Sequence, residues 1–170
     1  VNIRYSNEAA ASLSVDILAY GIGKDLDGLD ALEAILGDGL RTYAESQRFT
    51  GSAGSHLTVP SLGKLGAATL RLAGTGDGSA SQRARAAGVA GRQARILGAS
   101  SLGLALHDAG VGRDACERAL AGNYDFDRFR PEADRTAPLS ELVFLGDEPD
   151  DAGRVAIRAL WQSHARDLVN

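Results

Sequence analysis

The segment Gly74-Thr-Gly-Asp-Gly-Ser79 places three glycines between an apolar run and a helical pattern. Backbone N–H groups at such a helix N-terminus can hold a phosphate without any special side chain, so Gly74, Gly76, Gly78 and Ser79 form a candidate anion-binding turn. The dinucleotide fingerprint spaces its glycines G-x-G-x-x-G, and here the third arrives one residue early. Asp77 would set a negative charge toward the phosphate, and no Walker-type Gly-Lys-Ser/Thr follows. A tight strand-to-helix turn accounts for the same residues.

Immediately downstream, Arg83, Arg85, Arg92 and Arg95 run through a stretch with no acid between Gly78 and His107. Arg85, Arg92 and Arg95 lie on one helical face and are candidate nucleic-acid contacts; a solvated helix face gives the same pattern. Neither interleaved aromatics nor a basic net charge supports nucleic acid, which is therefore not expected as a partner. His56, His107 and His164 are far apart and have no H-x-x-x-H or C-x-x-C companion, so no metal site is read in this chain. Cys116 falls inside a helical pattern and reads as a small buried hydrophobe. No G-x-S-x-G or comparable nucleophile motif occurs, and no catalytic residue is assigned.

The elements that must position these residues alternate in period. Residues 15–20 read as a strand, followed by helix from about Asp27 with Leu29, Leu32 and Leu36 at i, i+3 and i+7. Residues 55–60 and 67–73 read as a hairpin, 79–97 as a helix with an Ala86, Ala90, Ala94 and Leu97 stripe, and 101–106 as a strand. Gly103 and Ala105 are expected to let a helix approach the sheet closely. A helix at 111–121, an acidic–aromatic loop at 122–138, a strand at 141–145 and a helix at 151–169 complete the reading. On the last helix, Ile157, Leu160, Trp161, His164 and Leu168 make one broad stripe, so Trp161, His164 and Leu168 are candidate interdomain or subunit contacts. Strands alternating with helices predict a three-layer α/β/α fold, a mixed, mostly parallel sheet with helices on both faces.

At 170 residues the chain is long enough for one domain with its own core. A single Cys excludes an internal disulfide and points to a reducing compartment, here read as the cytoplasm. No apolar run reaches membrane-spanning length and no secretory leader opens the chain, so no membrane partner is expected. The net charge of −4 weighs against a general nucleic-acid binder.

Several segments, in order, resemble the N-terminal domain of the leucyl (cytosol) aminopeptidase family. Residues 15–36 resemble its opening strand and helix, and Phe49-Thr-Gly51-Ser-Ala-Gly54 its G-x-x-G element. Leu70-Arg-Leu-Ala-Gly-Thr-Gly76 with residues 82–97 resembles its glycine-ended strand and Ala- and Arg-rich helix. Ala119-Leu-Ala-Gly-Asn-Tyr-Asp-Phe-Asp-Arg-Phe129 and the closing Ala165-Arg-Asp-Leu-Val-Asn170 resemble two further family phrases. The resemblance implies a macro-domain-like fold and a single non-catalytic N-terminal domain over 1–170, with 151–170 an exit helix toward a C-terminal catalytic domain. It also implies that the parent removes N-terminal amino acids from peptides and assembles as a hexamer, with two divalent metals (Zn or Mn) in the catalytic domain. The family's metal-binding Lys and carboxylate motifs do not occur here, and the length itself argues against activity of the chain alone. Two alternatives stand beside this reading. One is a macro-type module that binds ADP-ribose or another phosphorylated ligand through glycine turns 21–23 and 74–78. The other is a DNA-binding domain using helix 83–95.

Overall fold

The computed structural model describes residues 1–106, 112–124 and 139–147. In chain order these form β1 (Asn2–Ser6), β2 (Ile17–Gly23), a short 3-10 turn (Lys24–Leu26), α1 (Asp30–Leu36) and α2 (Gly39–Ser46). Then come β3 (His56–Pro60), β4 (Thr69–Gly76), α3 (Ala80–Ile96), β5 (Ser101–Ala105), α4 (Gly112–Asn123) and β6 (Glu141–Leu145). The strands lie in the order β1-β6-β5-β2-β4-β3. Every neighbouring pair is parallel except β3–β4, which is antiparallel. The expected α/β sheet is therefore present.

Side-chain alternation splits the core into two layers. On one face Ile17, Ala19, Leu102, Leu104, Leu142 and Phe144 meet the alanines of α3 and the Ala115, Cys116 and Ala119 stretch of α4. On the other face Leu18, Tyr20, Ile22, Leu70 and Leu72 meet Leu29 and Leu32, with Leu40 and Ala44 of α2. Central strands buried on both sides read as nearly continuous apolar runs, which is why β2, β4 and β5 are visible in the sequence.

The structure differs from the sequence reading in several places. β1 was not anticipated; its Ile3 and Tyr5 pack on the α3–α4 face, and Tyr5 stacks on Phe144 with ring centroids 5.4 Å apart. Gly103 does not admit a helix: a side chain there would run into Leu13, Val15 and Leu18, so residues from the β1–β2 connection fill that space. Close helix approach occurs instead between α3 and α4. A Cβ on Gly91 would collide with Ala119 O, and one on Gly122 with Gly88 O. Finally, Leu97 is 53% exposed and the inward stripe of α3 consists of small residues, among them Ala84, Ala86, Ala87, Ala90 and Ala94. Small side chains here bring α4 against α3, and bulkier ones would push it away.

Candidate functional site

β2 leads into α1 on one face of the sheet, while its neighbour β4 leads into α3 on the other. Chains that diverge in this way open a crevice beyond the strands' carboxyl ends, where ligands of open α/β sheets commonly sit. A cleft of about 360 Å³ occupies that position. Gly21, Gly23, Asp27 and Gly28 line one side, and Thr75, Gly76, Asp77, Gly78 and Arg83 the other.

The glycines around this cleft have a structural task. Gly74 and Gly76 belong to β4, so the strand extends past the point at which the sequence suggested a turn. Loop 50–55 lies directly on the two strand ends. Gly74 N–H donates to Ser55 O at 2.8 Å, Gly54 N–H to Gly74 O at 3.1 Å and Gly76 N–H to Gly51 O at 2.9 Å. A Cβ on Gly74 would collide with Ser52 O, and one on Gly51 (φ 73°) with Gly23 O. Backbone approach this close requires glycine.

The remaining donors of the turn also point inward. Asp77 N–H is bonded to Gln82 Oε1 at 3.0 Å, Gly78 N–H to Thr75 O at 2.9 Å and Ser79 N–H to Asp77 Oδ1 at 2.8 Å. Ser79 precedes α3 in extended conformation, and its hydroxyl meets Ser81 Oγ at 3.4 Å without capping the helix. The backbone hydrogen bond from Ser79 holds the Asp77 carboxyl below its ordinary range, so at neutral pH an anion lies where a phosphate would approach. Thus the structure gathers Gly74, Gly76, Gly78 and Ser79 at one strand end, with the N–H groups of all four directed at the protein's own acceptors.

Arg85 and Arg92 are exposed on α3, whereas Arg95 is half-buried. Arg95 Nη1 donates to Asn123 O at 3.2 Å, tying α3 to the end of α4. Of the three candidate arginines, Arg85 and Arg92 are thus the exposed ones and Arg95 is engaged with the end of α4. Arg85 leans toward the loop before β3, with Nε near Gly54. Cys116 is fully buried, and burial pushes its thiol up to about 12, in keeping with a packing role. Trp161, His164 and Leu168, like His107 and Asp108, lie outside the described residues. Among the described residues no three His, Cys, Asp or Glu side chains converge on a point that could hold a metal.

Residues 17–133 match the family described as the cytosol aminopeptidase family, N-terminal domain. The chain belongs to that family. It is 32% identical over 160 residues to a probable cytosol aminopeptidase of Geotalea uraniireducens (strain Rf4), an alignment covering 83% of this chain and 32% of that protein. The chain thus spans about a third of the length of the curated relative it matches. Among solved structures, a mutant of tomato leucine aminopeptidase superimposes with a TM-score of 0.79 at 16% identity, covering 96% of this chain and 36% of that one. The macro domain of ganglioside induced differentiation associated protein 2 gives 0.62 at 15% identity, covering 93% of this chain and 83% of that one. The likeness to these two structures is one of fold. The α/β fold of this chain is therefore macro-like in architecture, as the resemblance implied.

One buried residue escaped the sequence reading. Arg71 sits inside the apolar run Thr69–Ala73 and is only 6% exposed. Its single signal was a lone charge between Leu70 and Leu72, easily absorbed into a strand pattern.

Proposed function

We propose that this chain serves a metal-dependent leucyl aminopeptidase as a non-catalytic domain that supports assembly and restricts access to the active sites. The observation that carries this reading is the family match over residues 17–133, to a domain described as N-terminal, on a chain about a third as long as its curated relative. In the parent, a divalent metal in the catalytic domain would activate the water that attacks the peptide bond. That chemistry would draw on two Zn or Mn ions held by ligands of the C-terminal domain. The parent would work in the cytoplasm as a hexamer.

Two measurements test this. The chain alone, saturated with manganese or zinc, should not hydrolyse leucine p-nitroanilide; turnover would refute the non-catalytic assignment. Light scattering on the full-length parent, with and without residues 1–170, should show a hexamer that is lost on deletion. An unchanged hexamer would refute the assembly role.

A second reading rests on the cleft at the ends of β2 and β4, which would accept a phosphorylated ligand of ADP-ribose type. The inward-directed N–H groups and the Asp27 and Asp77 carboxylates speak against it. Calorimetry with ADP-ribose separates the two: micromolar binding favours the module, and no heat at millimolar ligand removes it.

A further inference from the structure

β3 is the outermost strand of the sheet and pairs only with β4 among the described residues. An edge strand offers a row of backbone donors and acceptors to any extended chain, and proteins normally guard it with charge, proline or a cover. β3 reads His-Leu-Thr-Val-Pro, so Pro60 guards its end alone. Its one ionisable side chain, His56, is held below its ordinary value first by desolvation and then by the Arg71 charge. At neutral pH this edge is uncharged.

Arg71 lies directly behind it. The residue pairs with Thr58 across the β3–β4 ladder, on the same face as Ala73 and opposite to Leu70 and Leu72. Its Nη1 donates to Thr58 Oγ1, which carries the guanidinium head out to the last strand. Among the described residues the buried Nε has no hydrogen-bond partner and no carboxylate pairs with the cation. Burial pulls this guanidinium below its ordinary value. A buried cation without a counter-charge is costly, so a carboxylate supplied from outside would relieve a real penalty. The local sequence cannot supply one: residues 47–76 contain Arg48, Lys64 and Arg71 but no Asp or Glu, in a chain whose net charge is −4.

The other face of β3 is equally specific. Val59, with Leu40, Tyr43 and Leu62, lines an apolar groove of about 340 Å³. A strand added beside β3 would point alternate side chains to the two faces, one set toward Arg71 and the other toward this groove. We propose that β3 docks an extended segment of another polypeptide, which adds as a seventh strand, sets a carboxylate against Arg71 and seats apolar side chains in the groove. A guanidinium matches a carboxylate with several N–H donors, and the Nη end, carried out to Thr58, is the part of this one that faces the last strand. Nucleic acid fits less well, because residues 51–76 contain no Phe, Tyr or Trp on which bases could stack.

The probe is a fluorescein-labelled ten-residue peptide of alternating Val and Thr with a central Glu, compared with its Gln counterpart by anisotropy on the chain at pH 7. The Glu peptide is expected to bind about tenfold more tightly or better, as a charge-assisted pair requires. Arg71→Gln should abolish that preference, Arg71→Lys should retain part of it, and amide shifts should centre on residues 55–60. Equal affinity for the two peptides, no binding at millimolar peptide, or shifts centred elsewhere would overturn the proposal. So would preferred binding of a duplex oligonucleotide at β3, or self-association through β3 that excludes both peptides. If Arg71→Gln does not fold, the Glu-to-Gln comparison on the unaltered chain decides by itself.

Discussion

Asp16 Oδ2 accepts two hydrogen bonds from Ser100, one from its N–H and one from its hydroxyl, each 2.7 Å long. The same oxygen takes the Ser101 N–H at 3.0 Å, and Asp16 N–H returns a bond to Ser101 Oγ at 2.8 Å. One carboxylate thereby joins the entry of β2 to the entry of β5 across 84 residues of chain. The Ser100 hydroxyl is the main cause of a lowered Asp16 pKa, with partial burial acting against it. A group titrating lower in the folded state contributes its stability above the unfolded carboxyl range and loses it as pH falls through the folded value. Asp16→Ala should cost about 1–2 kcal/mol at pH 7, an exposed clasp being weaker than a buried one. In urea melts, the difference between the unaltered chain and Asp16→Ala should narrow as pH drops below about 4. A gap of equal size at pH 7 and pH 3 would show that the ionised carboxylate is not what holds these strands.

Gly51 and Gly63 separate two reasons for needing glycine. Both have positive φ, 73° and 76°, but a Cβ on Gly51 would collide with Gly23 O while Gly63 has open space around it. Gly63→Ala should therefore cost about 1 kcal/mol, the conformational penalty alone. Gly51→Ala adds backbone displacement at the ends of β2 and β4, so its cost should reach about 3 kcal/mol or prevent folding. Denaturant midpoints measure both. Equal losses would mean that loop 50–55 is not pressed onto the strands.

What the sequence conveyed about the cleft, and what it concealed, follows from this geometry. Residues 17–23 and 69–76 announce strands because burial on both faces demands apolar or small residues throughout. Their terminal glycines suggest a ligand turn equally well, because a phosphate and another loop's backbone impose the same demand for a missing Cβ. Which of them sits there depends on residues 50–55, over 20 positions upstream of Gly76, and no local pattern reports that contact. β1 was hidden for a related reason: its partner β6 lies over 130 residues away, and five residues of which none is buried carry little periodicity. Arg71 was hidden because strand alternation tells which face a residue occupies, not whether a counter-charge waits there.

The α3–α4 contact yields a comparison of neighbours. Gly88 and Gly91 both lie within α3, yet a Cβ on Gly88 would sit 3.4 Å from Arg118 O, whereas Gly91 is in direct conflict with Ala119. Gly88→Ala should be neutral or stabilising by up to about 1 kcal/mol through helix propensity. Gly91→Ala should instead destabilise by about 1–3 kcal/mol, because overpacking forces the helices apart. Thermal denaturation of the two variants reads the difference. The same sign for both would place the helices farther apart than described.

Cys116 offers a direct measure of how often that layer opens. The thiol is fully buried in α4 and raised to about 12 by desolvation, with Glu117 adding to the shift, so the reactive thiolate is scarce at pH 8. Ellman's reagent should leave the native chain unlabelled over the time in which a free thiol reacts completely. Labelling should appear as urea approaches the unfolding midpoint and rise with the unfolded population. Rapid labelling in the absence of urea would show that α4 separates from α3 under native conditions, and that Cys116 is a site of chemistry and not of packing.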